Sequence, residues 1–170
     1  MYLYIVRHAI AEEREDFLQK NSDDSLRPLT AKGQRRMQNV ILKLKSELKD
    51  IDLVVTSPFV RAKQTATLIS ELIGKPKIEE SAELVPHATA SAFVNWIKAH
   101  GKNKKKVMIV GHEPHLSTLI SYLLSGNNNN GFVEMKKSSI AMIETGSFEE
   151  ITPSRASLIW LFPPKLLEKM

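Results

Sequence analysis

The feature that most constrains this chain is an alternation of two apolar patterns. Tyr2–Val6, Leu53–Thr56 and Val107–Val110 are short continuous runs of apolar or β-prone residues. Such runs mark strands buried on both faces. Between them, apolar residues recur at helical spacing. Met37, Val40, Ile41, Leu44 and Leu48 follow Thr30, a candidate N-cap, and predict a helix over 31–48. Further helices are predicted over 59–73, stopping at Gly74 before Pro76, over 89–99 around Phe93, Trp96 and Ile97, and over 115–124 after Pro114. Ile78 lies in a weak third strand. Ile140–Glu144 and Ser157–Phe162 predict two late strands joined by a turn near Gly146, with Pro163-Pro164 ending the ordered core. Residues 8–29 are charged and aperiodic and read as a long loop; Ser125–Gly131 (SGNNNNG) reads as a mobile one. Repeated strand-then-helix units predict an α/β fold, a three-layer α/β/α sandwich on a mostly parallel central sheet. A chain of 170 residues has room for one such domain, residues 1–170.

Composition narrows the chemistry. There is no cysteine, which removes disulfides, thiolate nucleophiles and thiolate metal sites. No run approaches the ~20 apolar residues of a membrane span. The N-terminal MYLYIV meets Arg7 and His8 at once, whereas a secretory signal carries its charge first. A soluble, cytoplasmic protein without a membrane partner is expected. The formal net charge of +5 favours an anionic partner. Lys102–Lys106 (KNKKK) has no interleaved aromatics and reads as a solvated loop rather than a nucleic-acid patch. The five histidines show no ligand spacing with supporting carboxylates. His112-Glu113-Pro114-His115 holds a proline and the wrong period for a zinc helix. No metal and no cofactor are expected; His87 and His100 read as surface, His115 as capping or structural, and Trp96 and Trp160 as core.

In α/β sheets, ligands bind beyond the C-terminal ends of the strands. Three of those ends carry chemistry here: Arg7-His8 after the first strand, Ser57-Pro58 with Arg61 after the second, and Gly111-His112 after the fourth. Guanidinium forks match phosphate oxygens and stay charged. A neutral imidazole can be a nucleophile, and a second can donate to a phosphoryl oxygen. The start of the 59–73 helix adds partial positive charge at the same edge. Phosphoryl transfer draws on this inventory, because positioning and positive charge carry most of its catalysis.

Arg7-His8-Ala9, Leu29-Thr30-Ala31-Lys32-Gly33, the stretch Val55–Thr65 (VTSPFVRAKQT) and Val110-Gly111-His112 together resemble the histidine phosphatase superfamily, formerly grouped with the phosphoglycerate mutases. The likeness covers about 1–126 and extends to the short SixA-type phosphohistidine phosphatases, to which the segment Asp23–Thr30 (DDSLRPLT) is similar. The resemblance implies a phosphoglycerate mutase-like fold and a phosphatase working through a covalent phosphohistidine. It makes His8 the nucleophile, Arg7, Arg61 and His112 the phosphate pocket, and Arg27 its rim. Glu83, in Ser81–Pro86 (SAELVP), holds roughly the position of the superfamily's general acid, without the Gly-rich context of the mutases. The implied substrate is a phosphorylated protein histidine, such as that of a histidine phosphotransfer domain. A small phosphorylated metabolite is the alternative, and a non-catalytic phosphate-binding module the third reading. An intact candidate nucleophile argues against the third. Imidazole leaves with a conjugate-acid pKa near ~6.5, whereas an alkoxide sits nearer the scale of water at ~15.7. A phosphoramidate therefore demands far less proton donation than a phosphoester.

Overall fold

The computed structural model of the chain describes residues 1–128 and 132–167. In chain order it contains β1 (Tyr2–Arg7), α1 (Arg14–Leu18), α2 (Ala31–Lys43), β2 (Leu53–Thr56), α3 (Val60–Leu72) and β3 (Ile78–Glu80). These are followed by α4 (Ala90–His100), β4 (Lys106–Gly111), α5 (His115–Ser125), β5 (Ile140–Glu144), β6 (Ser157–Phe162) and α6 (Pro164–Leu167). Six strands form one sheet in the order β3-β2-β4-β1-β5-β6. Its first four positions are mutually parallel, and β5 runs antiparallel to both β1 and β6. The fold is the expected α/β sandwich on a mixed, mostly parallel sheet.

Strand alternation sorts the side chains into two cores. Leu3, Ile5, Leu53, Val55, Val107 and Ile109 face α4 and α5, where Phe93, Ile97, Leu116 and Leu119 close the layer. Tyr4, Val6, Val54, Met108 and Val110 face α2 and α3, meeting Met37, Ile41, Ala62 and Ile69. Each large aliphatic fully buried in this way is worth about 1.5–3 kcal/mol against exposure, so the sheet is a rigid base for whatever its edge carries.

Four boundaries differ from the sequence expectation. The helix predicted to reach residue 48 ends at Lys43, where Leu44 leaves helical geometry. The apolar spacing nevertheless persists through the following turns, and Leu44 and Leu48 remain buried. The expected loop 8–29 contains α1, anchored by buried Phe17, and a 3-10 turn at Asp24–Leu26 capped by Asp23. The connection from β5 to β6 is not a tight turn at Gly146. It is a long excursion over 145–156 that buries Phe148 and Ile151. Pro164 opens α6 rather than ending the order, since proline suits the first turn of a helix. Trp96 and Trp160 are half-buried against the two cores. Of the predicted mobile loop 125–131, residues 129–131 lie outside the described residues.

Candidate functional site

Sheet register assembles the site. Arg7 pairs with Gly111 across β1 and β4, and Thr56 pairs with Val110 across β2 and β4. The next residues along each strand are His8, His112 and Ser57, so all three emerge together at the C-terminal edge. Backbone bonds hold the exits level: His8 N–H donates to Gly111 O at 3.1 Å and Ser57 N–H to Val110 O at 3.0 Å. The His8 and His112 rings lie 4.9 Å apart. Arg61 enters from the first turn of α3, with its guanidinium 5.0 Å from the Phe59 ring, which also packs on His112.

Three of these side chains are deeply buried, His8 at 5% exposed, His112 at 1% and Arg61 at 3%, whereas Arg7 and Phe59 are half-buried. His8 Nδ1 lies 2.7 Å from the Ala9 carbonyl. A carbonyl only accepts, so Nδ1 carries the proton and Nε2 keeps its lone pair. Burial, with the charges of Arg61, Arg7 and Arg27, pushes the His8 pKa down to about 3, against the opposing hydrogen bond to Ala9. His8 is therefore neutral near pH 7. His112 is pushed down to about 2 by burial and by the neighbouring His8, Arg61, His115 and Arg7. Its Nε2 lies 2.9 Å from Ser57 Oγ, which accepts from the Phe59 N–H. A serine oxygen has two lone pairs, so this pair can run in either sense; when Ser57 donates to Nε2, the His112 proton lies on Nδ1. Arg7 Nε, Arg61 Nε and His112 Nδ1 are buried without a hydrogen-bond partner among the described residues. Buried donors of this kind are costly unless a ligand satisfies them. Two cationic N–H groups, joined by His112 Nδ1–H in the tautomer where Ser57 donates, are of the kind that can meet an oxyanion beside an unprotonated imidazole nitrogen.

Loops on both sides fix the arginines. Arg61 donates through Nη1 to Asp24 O at 2.8 Å and through Nη2 to Asp24 Oδ2 at 3.0 Å. Asp24 Oδ1 accepts from Arg27 Nε at 2.8 Å, and Arg27 Nη1 donates to Glu12 O at 2.6 Å. Partial burial alone would raise the Asp24 carboxyl. The Arg27 hydrogen bond and the charges of Arg61, Arg27 and Arg14 outweigh it and hold the pKa below the ordinary value. Arg7 Nη1 donates to Met135 O at 2.6 Å, and the Met135 N–H donates to Glu113 Oε1 at 2.8 Å. Glu113 also accepts from the Ser117 hydroxyl. Thr65 Oγ1 accepts from Ala9 N–H at 3.1 Å, tying α3 to the loop after β1.

The structure brings Arg7, His8, Arg61 and His112 to one edge, with Arg27 reaching them through Asp24. Glu83 is half-buried in a 3-10 turn (Ala82–Leu84), its own N–H capped by Ser81 Oγ. The Leu84 carbonyl of that turn lies against Gly111, which places the turn above the end of β4. His115 is buried at the start of α5, while His87 and His100 are exposed. Sequence reading missed Asp24 and Glu113 as positioning groups. Their signal was an acid beside an arginine or histidine in a segment already matched on other grounds. Among the described residues, no group of three or more His, Asp or Glu is placed to hold a metal ion, and no helix is long and apolar enough to cross a membrane.

The family model of the histidine phosphatase superfamily (branch 1) matches residues 3–86. The phosphohistidine phosphatase SixA of Escherichia coli is 27% identical over 152 residues, covering 86% of this chain and 89% of that protein. An uncharacterized protein of Picosynechococcus sp. is 29% identical over 168 residues, covering 98% of this chain and 99% of the relative. The structure of the protein histidine phosphatase SixA complexed with tungstate superposes with a TM-score of 0.81 at 24% identity, over 98% of this chain and 99% of that one. The α-ribazole phosphatase of Shigella flexneri superposes at 0.72 with 18% identity, over 96% and 97%.

Proposed function

This chain belongs to the histidine phosphatase superfamily and has SixA among its relatives, and on that premise we propose that it hydrolyses phosphohistidine on a protein, with His8 as the covalent phosphoryl acceptor. The observation that carries this reading is the His8 tautomer: Nδ1–H is held by the Ala9 carbonyl, which leaves Nε2 unprotonated beside the partnerless nitrogens of Arg7, Arg61 and His112. In the first step the Nε2 lone pair attacks the phosphorus of a phosphohistidine protonated on its other ring nitrogen, the substrate P–N bond breaks with its electron pair going to the departing nitrogen, and the substrate imidazole leaves neutral. The two arginines and His112 Nδ1–H hold the phosphoryl oxygens. In the second step water attacks the phosphorus, the Nε2–P bond breaks, and inorganic phosphate leaves with the water's oxygen; His8 returns to its neutral form.

Leaving-group chemistry favours phosphohistidine over a phosphoester. Glu113, the carboxylate next to His112, is engaged by Ser117 and Met135, and Glu83 lies in a separate turn. A substrate that leaves as imidazole needs little from either. We place the protein in the cytoplasm, where phosphorylated histidine phosphotransfer domains would be its partners. The test is a side-by-side measurement of kcat/KM on a histidine-phosphorylated phosphotransfer domain and on a simple phosphomonoester. A strong preference for the domain is expected; comparable efficiency on the ester would favour a small-metabolite substrate. With His8→Ala, turnover and the acid-labile phosphoenzyme should both vanish while tungstate still binds, because the arginines remain. An active His8→Ala protein would refute the covalent mechanism.

A further inference from the structure

Two adjoining clefts leave the catalytic edge in one direction. The first, of about 640 Å³, begins at Arg7 and runs past Ile10 and Pro163 to Lys137 and Lys165. The second, of about 510 Å³, continues along α2 over Lys32, Arg35 and Lys43; Arg36 and Lys165 line both. The charge along this path is strongly biased. The two linings together hold eight of the chain's 24 lysines and arginines but one of its 19 carboxylates, Glu134. A random share of the surface would hold both signs in nearly equal number. Neither lining contains an aromatic side chain, so the path lacks the stacking platforms that single-stranded nucleic acids use. It also extends well beyond a single phosphoryl group, along an exposed helix face.

We propose that this trough is the docking surface for an acidic face of the phosphorylated protein substrate, seated so that its phosphohistidine enters at Arg7. The proposal rests on the protein-phosphohistidine reading above and deepens it. Such a surface would raise the encounter rate and orient the partner, and would weaken with salt as charge pairs are screened.

The probes are an acidic histidine phosphotransfer domain phosphorylated on histidine, and free phosphohistidine as a substrate too small to reach α2. Lys32→Glu/Arg35→Glu reverses two exposed residues of α2. Lys102→Glu/Lys104→Glu makes the same net-charge change before β4, at the opposite end of that strand from Gly111. The first variant should lose about 10- to 100-fold in kcat/KM on the domain, mainly through KM, with a flatter salt dependence. Its turnover of free phosphohistidine, and both activities of the second variant, should stay within about two-fold of wild type, far below the steering effect. An unchanged first variant would overturn the docking surface alone, leaving the substrate reading intact. Equal loss in the second variant would reduce the effect to net charge, and loss on free phosphohistidine would trace it to pocket damage; either overturns the proposal. Wild-type protein inert towards the phosphorylated domain but active on esters would remove the substrate reading, and the docking surface with it. Inhibition by single-stranded DNA at concentrations where polyglutamate is inert would assign the trough to nucleic acid instead.

Discussion

At the scale of single residues, the site depends on how two guanidinium groups are held. Arg61 is buried and takes both a carbonyl and a carboxylate oxygen of Asp24, so its orientation is set by one residue 37 positions away. Arg61→Lys keeps the charge but loses the planar fork. A fall in kcat/KM of a few kcal/mol in transition-state terms is expected, together with weaker tungstate binding. Asp24→Asn should do less, about ten-fold in kcat, because the backbone bond to Arg61 survives while the carboxylate bonds to Arg61 and Arg27 lose their charge and one of them its acceptor. Steady-state kinetics on both variants tests this order, and a larger loss in Asp24→Asn than in Arg61→Lys would contradict it. Glu83→Gln separates substrates by leaving group. If Glu83 donates a proton, phosphoester hydrolysis should drop by about 10²–10⁴-fold while phosphohistidine turnover falls far less. Equal loss on both would make it a binding residue, and no loss on either would make it a bystander.

At the scale of elements, α2 meets the loop after β1 at a close backbone approach. A Cβ on Gly33 would lie 2.0 Å from the Ile10 carbonyl oxygen. That same oxygen accepts from the Thr30 N–H at 3.0 Å and the Thr30 hydroxyl at 3.2 Å, while Thr30 Oγ1 caps the Gly33 N–H. Gly33→Ala must therefore push back the backbone two residues beyond His8. It should cost about 1–3 kcal/mol of stability, as overpacking does, and lower kcat as well; urea unfolding and turnover measured on one preparation test both. This junction also shows what the sequence could reveal. The Leu29–Gly33 motif was visible because capping and close approach demand particular residue types at fixed spacing. His8, Arg61 and His112 were visible because parallel register carries strand ends to a common edge. Asp24 and Glu113 were not, because their roles are contacts across 37 and 22 residues, between segments that no shared period links. The early end of α2 was hidden for the converse reason: Leu44 and Leu48 keep their apolar spacing and burial in turns that are no longer helix.

At the scale of the whole molecule, three buried neutral histidines set its behaviour in acid. Burial is the leading cause for each: it lowers His8 to about 3, His112 to about 2 and His115 to about 4. The unfolded chain protonates the same groups near ~6.5. Below that pH the unfolded state binds protons that the native state refuses, so stability is full above about 6.5 and falls as pH falls. The loss continues for each histidine until its own folded value is reached, with His115 saturating first. Each contributes up to about 1.4 kcal/mol per pH unit inside the window, and the three together about 4. Asp24, whose folded pKa is also depressed, adds to the loss only at lower pH, below the ordinary carboxylate range. Against a typical stability of about 5–15 kcal/mol, the histidines alone should bring unfolding within about two to four pH units of neutrality. His115→Leu tests the account at the one of the three histidines outside the His8–His112 pair. Its urea-derived stability should fall between pH 6 and 5 with about two-thirds of the wild-type slope, and turnover at pH 7.5 should be retained. An unchanged slope would mean that His115 takes up its proton in the native state, and the acid sensitivity would then belong to His8 and His112 alone.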